Sequence, residues 1–193
     1  MQDAKKSMRA GAIERRKVAH ARQGSTAGEA IAAHGLSFLE PPLRKGMIVS
    51  GFSAIGEEID ASRILSELHA YGYRTALPVI QGKGSPLLFR AWTPGDRMQA
   101  RTWGIAEPLD TEPVLEPDVL LVPLLAYDAR GYRLGYGGGF YDRTLEVLRN
   151  RKPVIAIGVA YAEQRVDAVP HSDYDQRLDW VLTPSGPFKC SRH

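Results

Sequence analysis

Residues 133–142 read RLGYGGGFYD, with four glycines in five positions, then an aromatic pair and a carboxylate. A tight turn needs one or two glycines, so four imply that backbone comes close to something. Consecutive N–H groups without side chains can point into one concavity, and a helix starting just beyond adds partial positive charge. Arg133 contributes a full charge and a planar fork suited to phosphate. Two readings fit: a phosphate-binding loop, or a glycine-rich connection with no ligand. The common nucleotide motifs do not fit. A P-loop needs Gly-Lys-Ser/Thr, whereas Phe140-Tyr141-Asp142 follows here, and the third glycine of G-x-G-x-x-G would fall at Phe140.

Asp142 ends the run. In a first helical turn it complements the dipole. Beside phosphate, an unshared acid is repulsive unless a cation intervenes, and Mg²⁺ accepts one or two carboxylates with phosphate oxygens and water. Asp173, Asp175 and Asp179 in HSDYDQRLDW (171–180) offer a second ligand.

These residues must be held by surrounding elements. Residues 4–23 and 26–38 read as two helices, and 61–71 and 140–150 as two more. Segments 47–52, 75–80, 87–92, 119–127, 154–161 and 180–183 read as strands. Alternating strands and helices, with several strands apolar on both faces, predict one α/β domain over 1–193, its mainly parallel sheet covered by helices on both faces. The glycine loop then joins strand 119–127 to helix 140–150.

With 193 residues, 44% hydrophobic and 24% charged, the chain matches an ordinary soluble domain. The longest apolar run, Val119–Ala126, is too short to span a bilayer, and the N-terminus lacks the apolar core of a secretory signal. Asp3 and Glu14 argue against a mitochondrial presequence. One cysteine, Cys190, excludes an internal disulfide framework and fits a reducing cytoplasm. The net charge of +3 is local. Residues 1–24 carry seven Lys/Arg against two acids, and the rest of the chain 18 against 20. That basic segment suits either a phosphate-bearing partner or a solvated helix face.

Several ordered segments resemble the 5-formyltetrahydrofolate cyclo-ligase family, also called 5,10-methenyltetrahydrofolate synthetases. They are KKSMR (5–9), GFSAIGEEID (51–60), LPVIQGKGSPLLFRAWTPGD (77–96), WGIAEP (103–108), PLLAYDARGYRLGYGGGFYDRTL (123–145) and HSDYDQRLDWVLTP (171–184). In many members an arginine stands where Tyr136 is here, and in some a lysine where Gly138 is. The resemblance implies a Rossmann-like sheet and the conversion of 5-formyltetrahydrofolate to 5,10-methenyltetrahydrofolate, with ATP and Mg²⁺ giving ADP and phosphate. It further implies an ATP site from Lys5, Lys6, Ser7, Met8 and Arg9 together with Arg133, Leu134, Gly135, Tyr136, Gly137, Gly138, Gly139, Phe140 and Tyr141. Ser53, Glu58, Trp103 and Tyr141 would contact the folate, Asp142 and Asp179 would hold Mg²⁺, and Arg133 and Asp142 would serve catalysis.

Such chemistry asks for alignment and charge neutralisation rather than covalent work by the protein. Lys5 and Arg9, four apart on a helix, can reach one polyphosphate, whereas Lys6 and Ser7 point elsewhere if the helix is regular. The expectation is a cytoplasmic monomer acting on small molecules, without a nucleic-acid or membrane partner. Two other readings are a nucleic-acid-binding protein using the basic segment, opposed by the acidic balance elsewhere, and a nicotinamide oxidoreductase, opposed by the missing third glycine.

Overall fold

The structure, a computed structural model, describes residues 2–191. Its spine is a run of strands whose residues alternate between two apolar layers. They are β1 (Ile48–Ser50), β2 (Arg74–Val79), β3 (Leu88–Ala91), β4 (Met98–Ala100), β5 (Ala106–Pro108), β6 (Val114–Leu115) and β7 (Val119–Pro123). The chain continues through β8 (Ala126–Tyr127), β9 (Arg133–Leu134), β10 (Ile155–Val159), β11 (Trp180–Thr183) and β12 (Gly186–Lys189). Three helices accompany them: α1 (Gln2–His34), α2 (Ser62–Ala70) and α3 (Phe140–Arg149).

Eight strands form one sheet in the order β12-β11-β10-β7-β1-β2-β3-β6. The inner five, from β11 to β2, are mutually parallel, and β12, β3 and β6 add antiparallel edges. Val119 and Leu121 of β7 face the layer that holds Ala19, Ile31, Ile64 and Leu65 from α1 and α2. Leu120 and Val122 face the opposite layer with Leu145 and Leu148 of α3. Helices therefore cover both faces, as the apolar strands require. Burial of β7 is nearly complete on both sides.

The switch in strand order decides where a ligand can bind. After β1 the chain moves to β2 on one side, and it later returns as β7 on the other side of β1. Loops leaving the carboxyl ends of β1 and β7 thus diverge and leave a crevice between them. The first loop carries Ser53 and Glu58, and the second leads to the glycine run.

Several expectations need correction. The two N-terminal helices are one, because Gly24 and Gly28 serve close packing rather than a break. A Cβ on Gly28 would lie 2.9 Å from the Asp60 carbonyl, and one on Gly24 would meet the His20 ring at 2.6 Å. The helix ends where Gly35 takes φ +56°, four residues before the expected stop near Phe38. Strand 119–127 is broken after Pro123, which has no N–H to continue a ladder. Ala126-Tyr127 then pairs with Arg133-Leu134, so the first two residues of the glycine run are strand. Strands β4, β5, β6 and β12, each two to four residues long, had no periodicity to reveal them.

Among the described residues no helix is long and apolar enough to cross a membrane. Cys190 is buried, and burial, aided by Asp179 and Asp128, pushes its thiol up to about 12. The turn before β9 contains Gly131 at φ +86°, where a Cβ would press on the Leu178 carbonyl and lie 3.1 Å from the Cys190 side chain. Gly131→Ala is expected to cost about 2–4 kcal/mol of stability, through strain and steric conflict together, read as a lower urea midpoint at unchanged slope.

Candidate active site

The N-terminal helix reaches the glycine loop because its first turns pack on the small β8–β9 ladder. Met8, Ala12 and Ile13 lie against Leu125, Ala126, Leu134 and Val169. Lys5, Arg9, Ala12 and Arg16 fall at i, i+4, i+7 and i+11, one stripe of the helix. Packing Ala12 therefore turns the three cations toward the loop. Lys6 and Ser7 are exposed on another side, as helical geometry requires. Arg9 Nε donates to the Gly135 carbonyl at 3.0 Å, and its Nη2 lies 3.0 Å from where a Gly137 Cβ would sit.

Within the loop, Gly137 takes φ +99° and Gly139, the residue before α3, φ +67°. Only glycine adopts these without strain. Gly138 instead lacks room, since a Cβ there would meet the Phe140 ring at 2.7 Å. Gly135 has open space around it. Gly137→Ala is expected to raise the KM for a nucleotide bound here by about tenfold or more, by displacing Arg9 and straining the loop. Steady-state titration of the nucleotide measures this, and the urea midpoint should fall less than in Gly131→Ala, because exposed Gly137 adds backbone strain without a clash on buried backbone.

The site's charges neutralise one another. Arg133 Nη2 donates to Asp142 Oδ1 at 2.7 Å, and its Nη1 donates to the Gln176 carbonyl. Gln176 N–H also donates to Asp142 Oδ1, at 3.0 Å. Lys5 Nζ lies 2.6 and 2.7 Å from the two oxygens of Asp175, which also accepts from Ser172 N–H. Burial alone would raise the Asp175 carboxyl, but the hydrogen bonds from Lys5 and Ser172 outweigh it and hold it below the usual range.

Gln176, next to Asp175, is the residue of this segment that contacts Asp142, and its side-chain oxygen accepts from Arg149 at 3.1 Å. Asp179 lies three residues further on. It pairs with Arg149 at 3.0 Å and accepts the Ala156 N–H at 2.9 Å. Arg149 lies seven residues along α3 from Asp142, about 10 Å of helix. Among the described residues no group of three or more His, Cys, Asp or Glu gathers as a metal site. A carboxylate at the end of the glycine loop suits a cation that completes its shell with phosphate oxygens and water.

On the other wall, Glu58 is buried at the end of the β1 loop. Its Oε2 accepts the Ile55 N–H at 2.9 Å, and its Oε1 lies 3.6 Å from Arg16 Nη1. Burial pushes the Glu58 carboxyl up, and the Ile55 N–H, Arg16 and the Tyr136 side chain oppose that rise. Tyr141 packs at the edge of the α3 layer. Its phenol is pushed up by burial and then by the charge of Glu58, with Arg133 opposing. Ser53 Oγ donates to the Ala106 carbonyl at 2.5 Å, tying the β1 loop to β5.

Trp103 is 75% exposed and takes φ +58°, a left-handed conformation rare for a large side chain. It stands edge-on to Phe140, with ring centroids 6.1 Å apart. Trp103 therefore lies outside the core, with its ring open to solvent.

The fold thus assembles Lys5, Arg9, Arg133 and Asp142 on the glycine-loop side, and Ser53, Glu58 and Trp103 on loops that flank the same crevice. Sequence reasoning named Asp175 only among three candidate acids, and it missed Arg16 and Arg143. Arg143 Nη2 donates to the Gly138 carbonyl at 2.5 Å and its guanidinium lies 5.5 Å from the Phe140 ring centre. An arginine directly after Asp142 in the first helical turn was the available signal.

Fold and site together define a doubly wound α/β enzyme whose crevice opens where the strand order reverses. The model of the 5-formyltetrahydrofolate cyclo-ligase family matches residues 1–184. The Escherichia coli K12 5-formyltetrahydrofolate cyclo-ligase is 33% identical over 177 residues, 89% of this chain and 96% of that protein. The Mycolicibacterium smegmatis 5-formyltetrahydrofolate cyclo-ligase is 36% identical over 165 residues, 81% and 82% of the two chains. The NMR structure of Aquifex aeolicus 5,10-methenyltetrahydrofolate synthetase superposes with a TM-score of 0.75 at 25% identity, covering 96% of this chain and 92% of that one. The chain belongs to the 5-formyltetrahydrofolate cyclo-ligase family.

Proposed function

We propose that this enzyme converts 5-formyltetrahydrofolate and ATP to 5,10-methenyltetrahydrofolate, ADP and phosphate. The observation that carries the reading is the union, at one crevice, of a glycine loop flanked by Arg9, Arg133 and Lys5 with the buried carboxylate of Glu58. A formamide is a weak electrophile, and its oxygen cannot leave as oxide. Attack of the formyl oxygen on the γ-phosphorus, with ADP leaving, makes it a phosphate ester. Nitrogen 10 then adds to the formyl carbon and releases its proton to solvent, and phosphate departs with the original formyl oxygen as the five-membered ring closes.

Each group has a task in that sequence. Loop N–H groups with Lys5, Arg9 and Arg133 bind and orient the β- and γ-phosphates. Glu58 accepts N–H groups of the folate and fixes its ring, while Ser53, Trp103 and Tyr141 line the same side. Phe140 and Trp103 shield the reacting oxygen from water. Asp142 and Asp179 would hold Mg²⁺, which when bound neutralises phosphate charge during transfer.

The mutual pairing of Lys5 with Asp175 and Arg133 with Asp142 supports this assignment. Free ATP would have to pull the cations off their carboxylates and leave two acids beside a triphosphate. The magnesium complex exchanges partners without orphaning a charge. Incubation with 5-formyltetrahydrofolate and ATP should give the absorbance of the methenyl product only when Mg²⁺ is added, with one ADP per product. Absence of product with Mg²⁺, beside an active control enzyme, refutes the reading.

A further inference from the structure

Arg16 is a buried cation that the reaction as written does not use. It lies on α1, only 3% exposed, and its guanidinium carries two nitrogens, Nε and Nη1, without a hydrogen-bond partner. Such a group is costly unless its surroundings need its charge. Three neighbours define those surroundings. Nη2 lies 3.4 Å from Glu57 Oε2, Nη1 lies 3.6 Å from Glu58 Oε1, and the guanidinium carbon sits 5.6 Å from the centre of the Tyr136 ring. One side chain of α1 thus touches both loops that diverge at the strand switch.

We propose that Arg16 is a positioning residue for the folate: its guanidinium keeps Glu58 a carboxylate and directs Oε1 toward ligand N–H groups. This rests on the folate role of Glu58 given above. The geometry divides the carboxylate in two. Oε2 is committed to the Ile55 N–H, whereas Oε1 faces Arg16 at a distance too long for a hydrogen bond and keeps its capacity to accept one.

The charge balance around Glu58 requires such a counter-ion. Burial favours the protonated acid, and the adjoining Glu57 carboxylate adds a like charge on the same loop. Tyr136 from the glycine loop and Tyr141 from α3 face it as neutral phenols, both shifted upward by burial first. Arg16 is the full positive charge among these groups. A protonated Glu58 would present a donor where the ligand needs an acceptor. Removing Arg16 should therefore move the acid limb of folate binding to higher pH. Ionised Glu58 is lost as pH falls through its pKa, and loss of a neighbouring cation raises that pKa.

The test is calorimetric binding of 5-formyltetrahydrofolate, without ATP, to wild type, Arg16→Met and Arg16→Lys from about pH 5.5 to 8.5. Arg16→Met should bind at least about tenfold more weakly at pH 7, with the deficit shrinking as pH rises. Arg16→Lys, which keeps the charge, should recover most of the affinity at pH 7. Wild-type affinity in Arg16→Met, or weakening by one factor at every pH, overturns the proposal. Should Arg16→Met not fold, urea midpoints of Glu58→Gln and the double variant Arg16→Met/Glu58→Gln decide it. The proposal expects the double variant to fold and to be no less stable than Glu58→Gln, in which buried Arg16 keeps only Glu57 as a counter-charge; a double variant that fails to fold, or is less stable, overturns it. Failure of wild type to bind the folate would remove the functional reading instead, and the urea comparison would still test the Arg16–Glu58 link.

Discussion

Asp142→Asn is expected to lower turnover by about 10²–10³-fold or more while leaving the fold intact. The substitution keeps the shape of the side chain, and an amide oxygen can still accept from Arg133 and from the Gln176 N–H, which now meet Asp142 Oδ1 at 2.7 and 3.0 Å. It removes one negative charge from the pair of acids, Asp142 and Asp179, assigned to the cation. Steady-state rates at saturating ATP and rising Mg²⁺ measure the loss, and the urea midpoint checks the fold. A variant that reaches wild-type turnover at ordinary Mg²⁺ would remove Asp142 from the metal site. The equivalent change at Asp179 should have a second effect. Asp179 also holds Arg149 and the start of β10, so Asp179→Asn is expected to reduce stability as well as catalysis.

Glu58→Gln is expected to lower kcat/KM for the folate by about 10²-fold and to leave the KM for ATP near its wild-type value. Glutamine keeps the bond from the Ile55 N–H but halves the acceptor capacity directed at the ligand and leaves Arg16 with Glu57 as its remaining counter-charge. Varying each substrate at saturating concentrations of the other separates the two effects. Equal loss against both substrates would mean that Glu58 supports the crevice as a whole rather than the folate.

Local signals carried much of the fold and less of the site. WVLT at 180–183 has the bounds of β11, because a short apolar run between turn residues has one reading. The continuous apolar run of β7 indicated burial on both faces, and the sheet delivers it. Periodicity could not place the break after Pro123, since apolar residues continue through it into a different ladder. It also could not join the N-terminal helices across Gly24 and Gly28. Glycine lowers helix propensity, and only the approach of Asp60 reveals why Gly28 is there.

At the site, the spacing of Lys5 and Arg9 put both on one helical stripe, and packing of Ala12 turned that stripe to the loop. The choice among Asp173, Asp175 and Asp179 was different in kind. Three acids in seven residues are equivalent by spacing, and only the fold gives Asp175 to Lys5, Asp179 to Arg149 and the Gln176 N–H between them to Asp142. Arg16 was hidden for the same reason: its carboxylate partners lie 41 and 42 positions away and meet it only through the fold.

The central claim is that the glycine loop aligns ATP with the formyl oxygen of the folate. Turnover of 5-formyltetrahydrofolate labelled with ¹⁸O in the formyl group tests it most directly. The account predicts that the phosphate released carries the label, one atom per molecule of methenyl product. Unlabelled phosphate, with the label recovered in water, would contradict phosphoryl transfer to that oxygen and with it the task assigned to the loop.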